Sequence, residues 1–246
     1  METPHNASSC EVKTVHQEEE MGFDILKRNV ANVLGELEKN RYRNAQPARL
    51  IAVTKTVPPE TIQMLQSLRL LDIGENRVQD ALKKLTKILP EYRLHWIGRL
   101  QTNKVKDIIS HLYMLHSLDR LSLAQEVNRR AGMRGRAISA LVQVNIAGET
   151  QKAGIEPSEL KPFLISLKSF SSIQVTGLMA MMPFDAHSAQ LTRWFHEMRT
   201  MFDILREDAI NGISMTELSM GMSNDYMIAA REGATMVRVG TALFRG

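Results

Sequence analysis

The stretch Arg49-Leu50-Ile51-Ala52-Val53-Thr54-Lys55-Thr56 decides the fold. Its apolar run contains the β-branched Ile51 and Val53 and reads as a buried strand, and a lone lysine stands where the run stops. In a barrel of parallel strands, chemistry is done at the C-terminal strand ends. A lysine there is costly to bury charged, and an amine freed in this way is a nucleophile that condenses with an aldehyde to a Schiff base. The ordinary alternative is a lysine that has left the strand for solvent. Only the rest of the chain separates the two.

Working outward, helix and strand signals alternate. Phe23, Leu26, Val30, Val33, Leu34 and Leu37 hold helical spacing ahead of the Lys55 strand. Pro58 and Pro59 open the next helix. Further strands are expected at Leu70–Gly74, Arg93–Gly98, Tyr113–Ser117, Ile138–Ile146, Ile173–Ala180, Thr216–Met220 and Met236–Val239. The stripe Leu191, Trp194, Phe195, Met198, Met201, Phe202 and Leu205 marks the longest helix, its methionines and aromatics read as core. Asp119 and Ser223 are expected to cap helices. Eight short strands separated by helices predict an α/β fold: a closed (β/α)8 barrel of the TIM type, one domain over residues 21–246, with an N-terminal helix before the first strand. No helix is expected after the eighth strand, and the helix before the first is expected to fill that gap.

Composition narrows the class. At 246 residues, with 43% hydrophobic and 24% charged residues, the chain suits one large core. A net charge of +4 helps attract an anion but does not indicate nucleic acid. The single cysteine, Cys10, excludes an intramolecular disulfide framework, and no apolar run suffices to cross a bilayer. Residues 1–20 lack the order of a secretory signal and read as a disordered or loosely attached leader, so a cytoplasmic location is expected. No cluster has metal-ligand spacing, so no metal is expected. His95 and His116 read as hydrogen-bonded core histidines, and Arg129, Arg130, Arg134 and Arg136 as a solvated helix end.

Two glycine-bearing segments end the seventh and eighth strands: Leu218-Ser219-Met220-Gly221-Met222-Ser223-Asn224-Asp225 and Arg238-Val239-Gly240-Thr241. Barrels often bind phosphate there. Gly240 lets the backbone approach, and the hydroxyls of Ser219 and Thr241 can donate. Arg238 sits in an apolar strand and needs a partner, either a carboxylate such as Asp72 or Glu75, or an acceptor on a bound ring. A Schiff-base lysine, a phosphate cradle and an interior arginine together suit pyridoxal 5′-phosphate (PLP).

The chain resembles the pyridoxal phosphate homeostasis protein family, whose barrel is that of the alanine racemase N-terminal domain. The resemblance is carried by Ala52-Val53-Thr54-Lys55-Thr56, Gly74-Glu75-Asn76-Arg77-Val78-Gln79, His95 to Lys104, Val144-Asn145-Ile146 with Lys152 and Gly154, Gly177-Leu178-Met179-Ala180, Ser219 to Asp225 and Met236 to Thr241. It covers the chain from about Arg49 onward and departs at Arg245, where the family pattern usually has glycine after phenylalanine. It implies that Lys55 forms the Schiff base, that Asn76 lines the site, that Ser219, Gly240 and Thr241 hold the phosphate, and that Arg238 faces the pyridine nitrogen. Lys152 is the rival amine.

Three readings follow. The first is a protein that holds, buffers or delivers PLP without catalysed turnover, with apo-PLP enzymes as recipients, acting as a monomer without nucleic acid or membrane. The second is a PLP-dependent amino-acid racemase, which needs an acid/base group opposite the lysine; none of the four tyrosines falls in a segment assignable to that role. A guanidinium at the ring nitrogen also discourages its protonation and weakens the electron sink. The third is a Schiff-base aldolase acting on a sugar phosphate. The first is favoured.

Overall fold

The structure, a computed structural model, describes residues 8–149 and 153–245, with residues 8–20 as backbone only. The strands are β1 (Arg49–Val53), β2 (Asp72–Glu75), β3 (Arg93–Trp96), β4 (Leu112–Leu118), β5 (Ile138–Val144), β6 (Ile173–Ala180), β7 (Ile213–Ser219) and β8 (Met236–Val239). The helices are α1 (Ser8–Lys39), α2 (Pro59–Ser67), α3 (Val78–Leu85), α4 (Val105–Ile108), α5 (Leu121–Gly132), α6 (Leu160–Leu167), α7 (Ser188–Glu207), α8 (Tyr226–Arg231) and α9 (Thr241–Phe244). Among the described residues the strands, all parallel, close in chain order, with Leu50 opposite Val237 at the seam between β1 and β8. This is the TIM barrel that the alternation of signals predicts.

Period-2 alternation sorts each strand between two cores. Ile51, Met114, Leu141, Met179 and Met236 pack together inside the barrel. Their neighbours Leu50, Ala52, Leu115, Ala140, Val142, Leu178 and Val237 join the larger core between strands and helices. Arg238, one step on from Val237, is therefore an interior residue. The second strand starts two residues later than expected because the Leu70 N–H closes the end of α2 on the Leu65 carbonyl (3.0 Å). Leu191, Phe195, Met198, Phe202 and Leu205 form the buried face of α7, as their spacing predicts.

Helix α1 begins at Ser8, within residues 1–20. Two expectations change at the end and the caps. A short helix, α9, does follow β8. Asp119 does not cap α5; its carboxylate takes the Arg120 guanidinium instead, which also donates to the Leu100 carbonyl at 2.6 Å.

Helix α1 packs on α9 and α8, the place of the barrel's eighth helix. Asn29 fixes that contact, its Nδ2 donating to the carbonyls of Leu243 and Arg245 at 3.0 Å each. They belong to the last turn and the C-cap of α9, where carbonyls have no intrahelical partner. Asn29→Ala is expected to cost roughly 1–2 kcal/mol in urea unfolding and to raise amide exchange selectively over residues 241–245. Unchanged exchange there would mean that the apolar contact alone seats the last turn.

Candidate functional site

One cleft, of about 1050 Å³, opens at the C-terminal ends of β1, β2, β3, β6, β7 and β8. Lys55, Asn76, Arg238, Gly240 and Thr241 all line it. Lys55 is exposed on the cleft wall and not buried as its strand-end position suggested. The cause is local: β1 ends at Val53, and Thr54 and Val57 turn the chain sharply with a Val57 N–H to Thr54 carbonyl bond of 2.9 Å.

The turn is bolted from behind. Thr54 is fully buried, and its hydroxyl donates to Glu75 Oε1 at 2.7 Å. Lys84, reaching in from α3, donates to the same carboxylate oxygen at 2.8 Å and to the Thr54 carbonyl at 2.6 Å. Glu75 is therefore the partner of Lys84, not of Arg238. Asn76 follows directly, and its Oδ1 is buried without a hydrogen-bond partner among the described residues. A side chain at Gly98 would put a Cβ 2.5 Å from Asn76 Cβ, so only glycine lets β2 and β3 end side by side here.

Arg238 is 3% exposed, and it meets neither Asp72 nor Glu75. Its Nη1 donates to Ser219 Oγ at 2.7 Å and its Nη2 to the Ala180 carbonyl at 2.8 Å. Burial draws its pKa down to about 10, opposed by the charge of Asp225, so the guanidinium stays charged at neutral pH. Ser219 corrects the sequence reading: it is fully buried in β7, its hydroxyl held by Arg238 and, at 3.0 Å, by His116 Nδ1, and it does not line the cleft. Inward alternation in β7 turns it to the barrel interior.

His95 and His116 are both fully buried and hydrogen-bonded, as core histidines should be. Burial first, then the electrostatic influence of His95, Arg238 and Arg49, holds the His116 pKa well below its ordinary 6.5. The unfolded chain thus binds a proton below about pH 6.5 that folded His116 refuses. Stability contributed this way is complete above that pH and falls on acidification, by up to ~1.4 kcal/mol per pH unit. Urea unfolding between about pH 7 and pH 5 should show the slope, and His116→Gln should flatten it. An unaltered slope in the variant would assign the acid sensitivity elsewhere. Asp72 acts lower: burial raises its pKa, but its bonds to His95 and Arg93 and their electrostatic influence outweigh that and lower it, so its share is lost only below its ordinary 3.8.

The loops after β7 and β8 meet at Ser223. Expected to cap α8, Ser223 instead accepts from the Gly240 N–H (3.2 Å) and the Ala242 N–H (3.4 Å), joining both loops at the cleft. With its oxygen occupied as acceptor, its own proton is left to donate. Gly221, at φ +94°, makes the turn; a Cβ there would lie 2.6 Å from Ala229 Cβ. Asp225 closes the turn through the Met222 N–H, and burial raises its carboxyl pKa. Sequence reasoning missed Ser223 as a site residue, although its place after the seventh strand was the available signal.

Other candidates lie away from the cleft. Arg129 and Arg130 both bind Glu126, at 2.7 and 2.6 Å, and hold its carboxyl at about 2. Lys152 falls outside the described residues. No helix among them is long and apolar enough to cross a membrane.

With this geometry in hand, a family model described as the N-terminal domain of alanine racemase matches residues 26–246. A pyridoxal phosphate homeostasis protein of Aquifex aeolicus is 39% identical over 203 residues, which span 82% of this chain and 88% of that one. The chain belongs to the pyridoxal phosphate homeostasis protein family. A second family member, from Pseudomonas aeruginosa, is 34% identical over 90% of this chain and 96% of its own length. PipY of Synechococcus elongatus, solved with PLP bound, superposes with a TM-score of 0.79 at 33% identity, over 89% of this chain and 99% of that chain. An alanine racemase of Clostridium difficile shares the fold alone, with a TM-score of 0.70 at 18% identity, and this chain spans 55% of it.

Proposed function

We propose that the protein binds PLP in the cleft at the C-terminal end of the barrel and serves in PLP homeostasis, holding the group reversibly on Lys55 without catalysed turnover. The observation that carries the reading is that Lys55, Arg238, Ser223 and Thr241 share one cleft. The residues fit the group. The cleft is roomy, the buried Asn76 Oδ1 has no partner, and the Ser223 hydroxyl has a proton to give. PipY, a relative of one-third identity, was solved with PLP bound.

When bound, PLP would supply an electrophilic aldehyde, the chemistry a lysine amine can hold covalently and reversibly. Each residue of the chain would then have one task. Lys55 would offer that amine. Ser223 and Thr241 would donate hydroxyl protons to the phosphate, with Gly240 keeping the backbone close. Arg238 can only donate, so it would serve an acceptor, the ring nitrogen. Ser219 is removed from the cradle, and Ser223 takes its place.

The lining also bears on turnover. Its ionisable residues are Lys55, Asp225, Arg238 and Arg245, and no tyrosine or histidine is among them. Asp225 is committed to the Met222 N–H. A two-base racemase needs a proton carrier opposite the lysine, and this lining favours a holder over such an enzyme. Borohydride reduction of the purified protein with PLP, followed by peptide mass analysis, is the test. The expected adduct is on Lys55; an adduct on Lys152 with Lys55 unmodified overturns the assignment.

A further inference from the structure

A line of buried polar groups crosses the barrel from floor to cleft. Asp72 and Arg93 begin strands at the floor, with Arg93 Nη2 on Asp72 Oδ2 at 2.6 Å and the Arg93 side chain 45% exposed. Asp72 Oδ1 meets His95 Nε2 at 2.8 Å, His95 Nδ1 meets His116 Nε2 at 2.9 Å, and His116 Nδ1 meets Ser219 Oγ at 3.0 Å. Ser219 Oγ accepts from Arg238 at the cleft. All five side chains, Asp72 to Arg238, are buried.

Arg238 has donors only, and ionised Asp72 has acceptors only. Taken with both imidazoles neutral, the carboxylate end sets each bond: His95 carries its proton on Nε2 and donates to Asp72, and its Nδ1 accepts from His116 Nε2. His116 Nδ1 then accepts the Ser219 proton, and the Ser219 oxygen accepts from Arg238. All four bonds point toward the floor carboxylate. The lowered pKa of His116 keeps that ring neutral.

We propose that Asp72, His95, His116 and Ser219 are positioning residues: a one-way hydrogen-bond chain that fixes the Arg238 guanidinium as a donor toward the cleft. Filling space does not require them, since Ile51, Met114, Leu141, Met179 and Met236 fill the same interior with apolar groups. What they supply is orientation, and the reach of a carboxylate to a buried guanidinium that makes no direct carboxylate contact among the described residues. Arg238 spends one N–H on Ser219 and one on Ala180, and those two bonds set the plane of the rest. The proposal rests on the reading that Arg238 meets the PLP ring nitrogen.

The test uses the full chain loaded with PLP, in five forms: the parent, Ser219→Ala, His116→Leu, His116→Gln and Asp72→Asn. His116→Leu breaks the chain, whereas the amide of His116→Gln can accept from Ser219 and donate to His95, keeping its direction. Asp72→Asn leaves an oxygen for His95 but removes the charge. Ser219→Ala and His116→Leu are expected to weaken PLP binding about tenfold, the loss of one charge-assisted bond. They should also add a pH-dependent change in bound-PLP absorption that the parent lacks, because a ring nitrogen without a fixed donor takes up a solvent proton. Asp72→Asn should show the same change, although it lies at the opposite end of the barrel, and His116→Gln should resemble the parent. Parent-like affinity and titration in folded His116→Leu overturn the chain; if that variant does not fold, Ser219→Ala decides on the same two readouts. The cofactor reading is tested separately by the parent's borohydride adduct on Lys55, so an adduct with unchanged titrations condemns the chain alone.

Discussion

Lys55→Ala is expected to abolish the borohydride-trapped PLP adduct and the absorption of the imine. Among the described residues Lys55 is the lysine that lines the cleft, on the wall formed by the end of β1. Lys84 cannot replace it, since its ammonium is committed to the Thr54 carbonyl and Glu75 at 2.6 and 2.8 Å. Lys55→Arg separates the two properties of the side chain: it keeps a cation in the cleft but offers no condensing amine. Both variants should lose the adduct, while Lys55→Arg alone keeps the positive charge. Because Lys55 is exposed and bonded to no other side chain among the described residues, neither change should lower the melting temperature by more than a degree or two. Covalent PLP persisting in Lys55→Ala would refute the site.

Lys84→Met is expected to have the largest effect on stability. Glu75 is 2% exposed at its side chain, and Lys84 Nζ is its charge partner. Breaking a buried pair by removing one member leaves an uncompensated charge and costs roughly 3–5 kcal/mol. In a chain of this size that is a fall in melting temperature of roughly 6–20 °C. The double variant Glu75→Gln with Lys84→Met removes the stranded charge and should recover much of the loss, giving a large coupling between the two sites. Additive effects of the single changes would show that the pair contributes packing and no electrostatic interaction. The same ammonium also holds the Thr54 carbonyl, so Lys84→Met should also weaken PLP retention by loosening the turn that presents Lys55.

The barrel was legible in the chain because its signals are local. Strand residues alternate every two positions and helix residues recur at three and four, and both periods survive in any short window. Ile173–Ala180 and Met236–Val239 could be bounded to the residue for that reason. Lys55, Gly240 and Thr241 were readable because a parallel barrel gathers its C-terminal strand ends at one mouth, whatever its other details. Their presence on one cleft follows from topology more than from any side-chain contact.

Ser219 and Ser223 mark where that reasoning stopped. Both are serines near the end of the seventh strand, and one step of alternation sends the first into the interior while the loop turn at Gly221 brings the second to the cleft. The helix α9 was missed because four residues carry no periodicity. What the sequence by itself determined is the closed barrel, its order of elements, and the lysine at the rim of the first strand. What only the tertiary structure decided is the pairing of charges, Lys84 with Glu75 and Asp72 with His95, and the line from the floor to Arg238. His116 and Ser219 lie 103 residues apart, and no local pattern links them. Strand register across a closed sheet sets such distances, and register is a property of all eight strands at once.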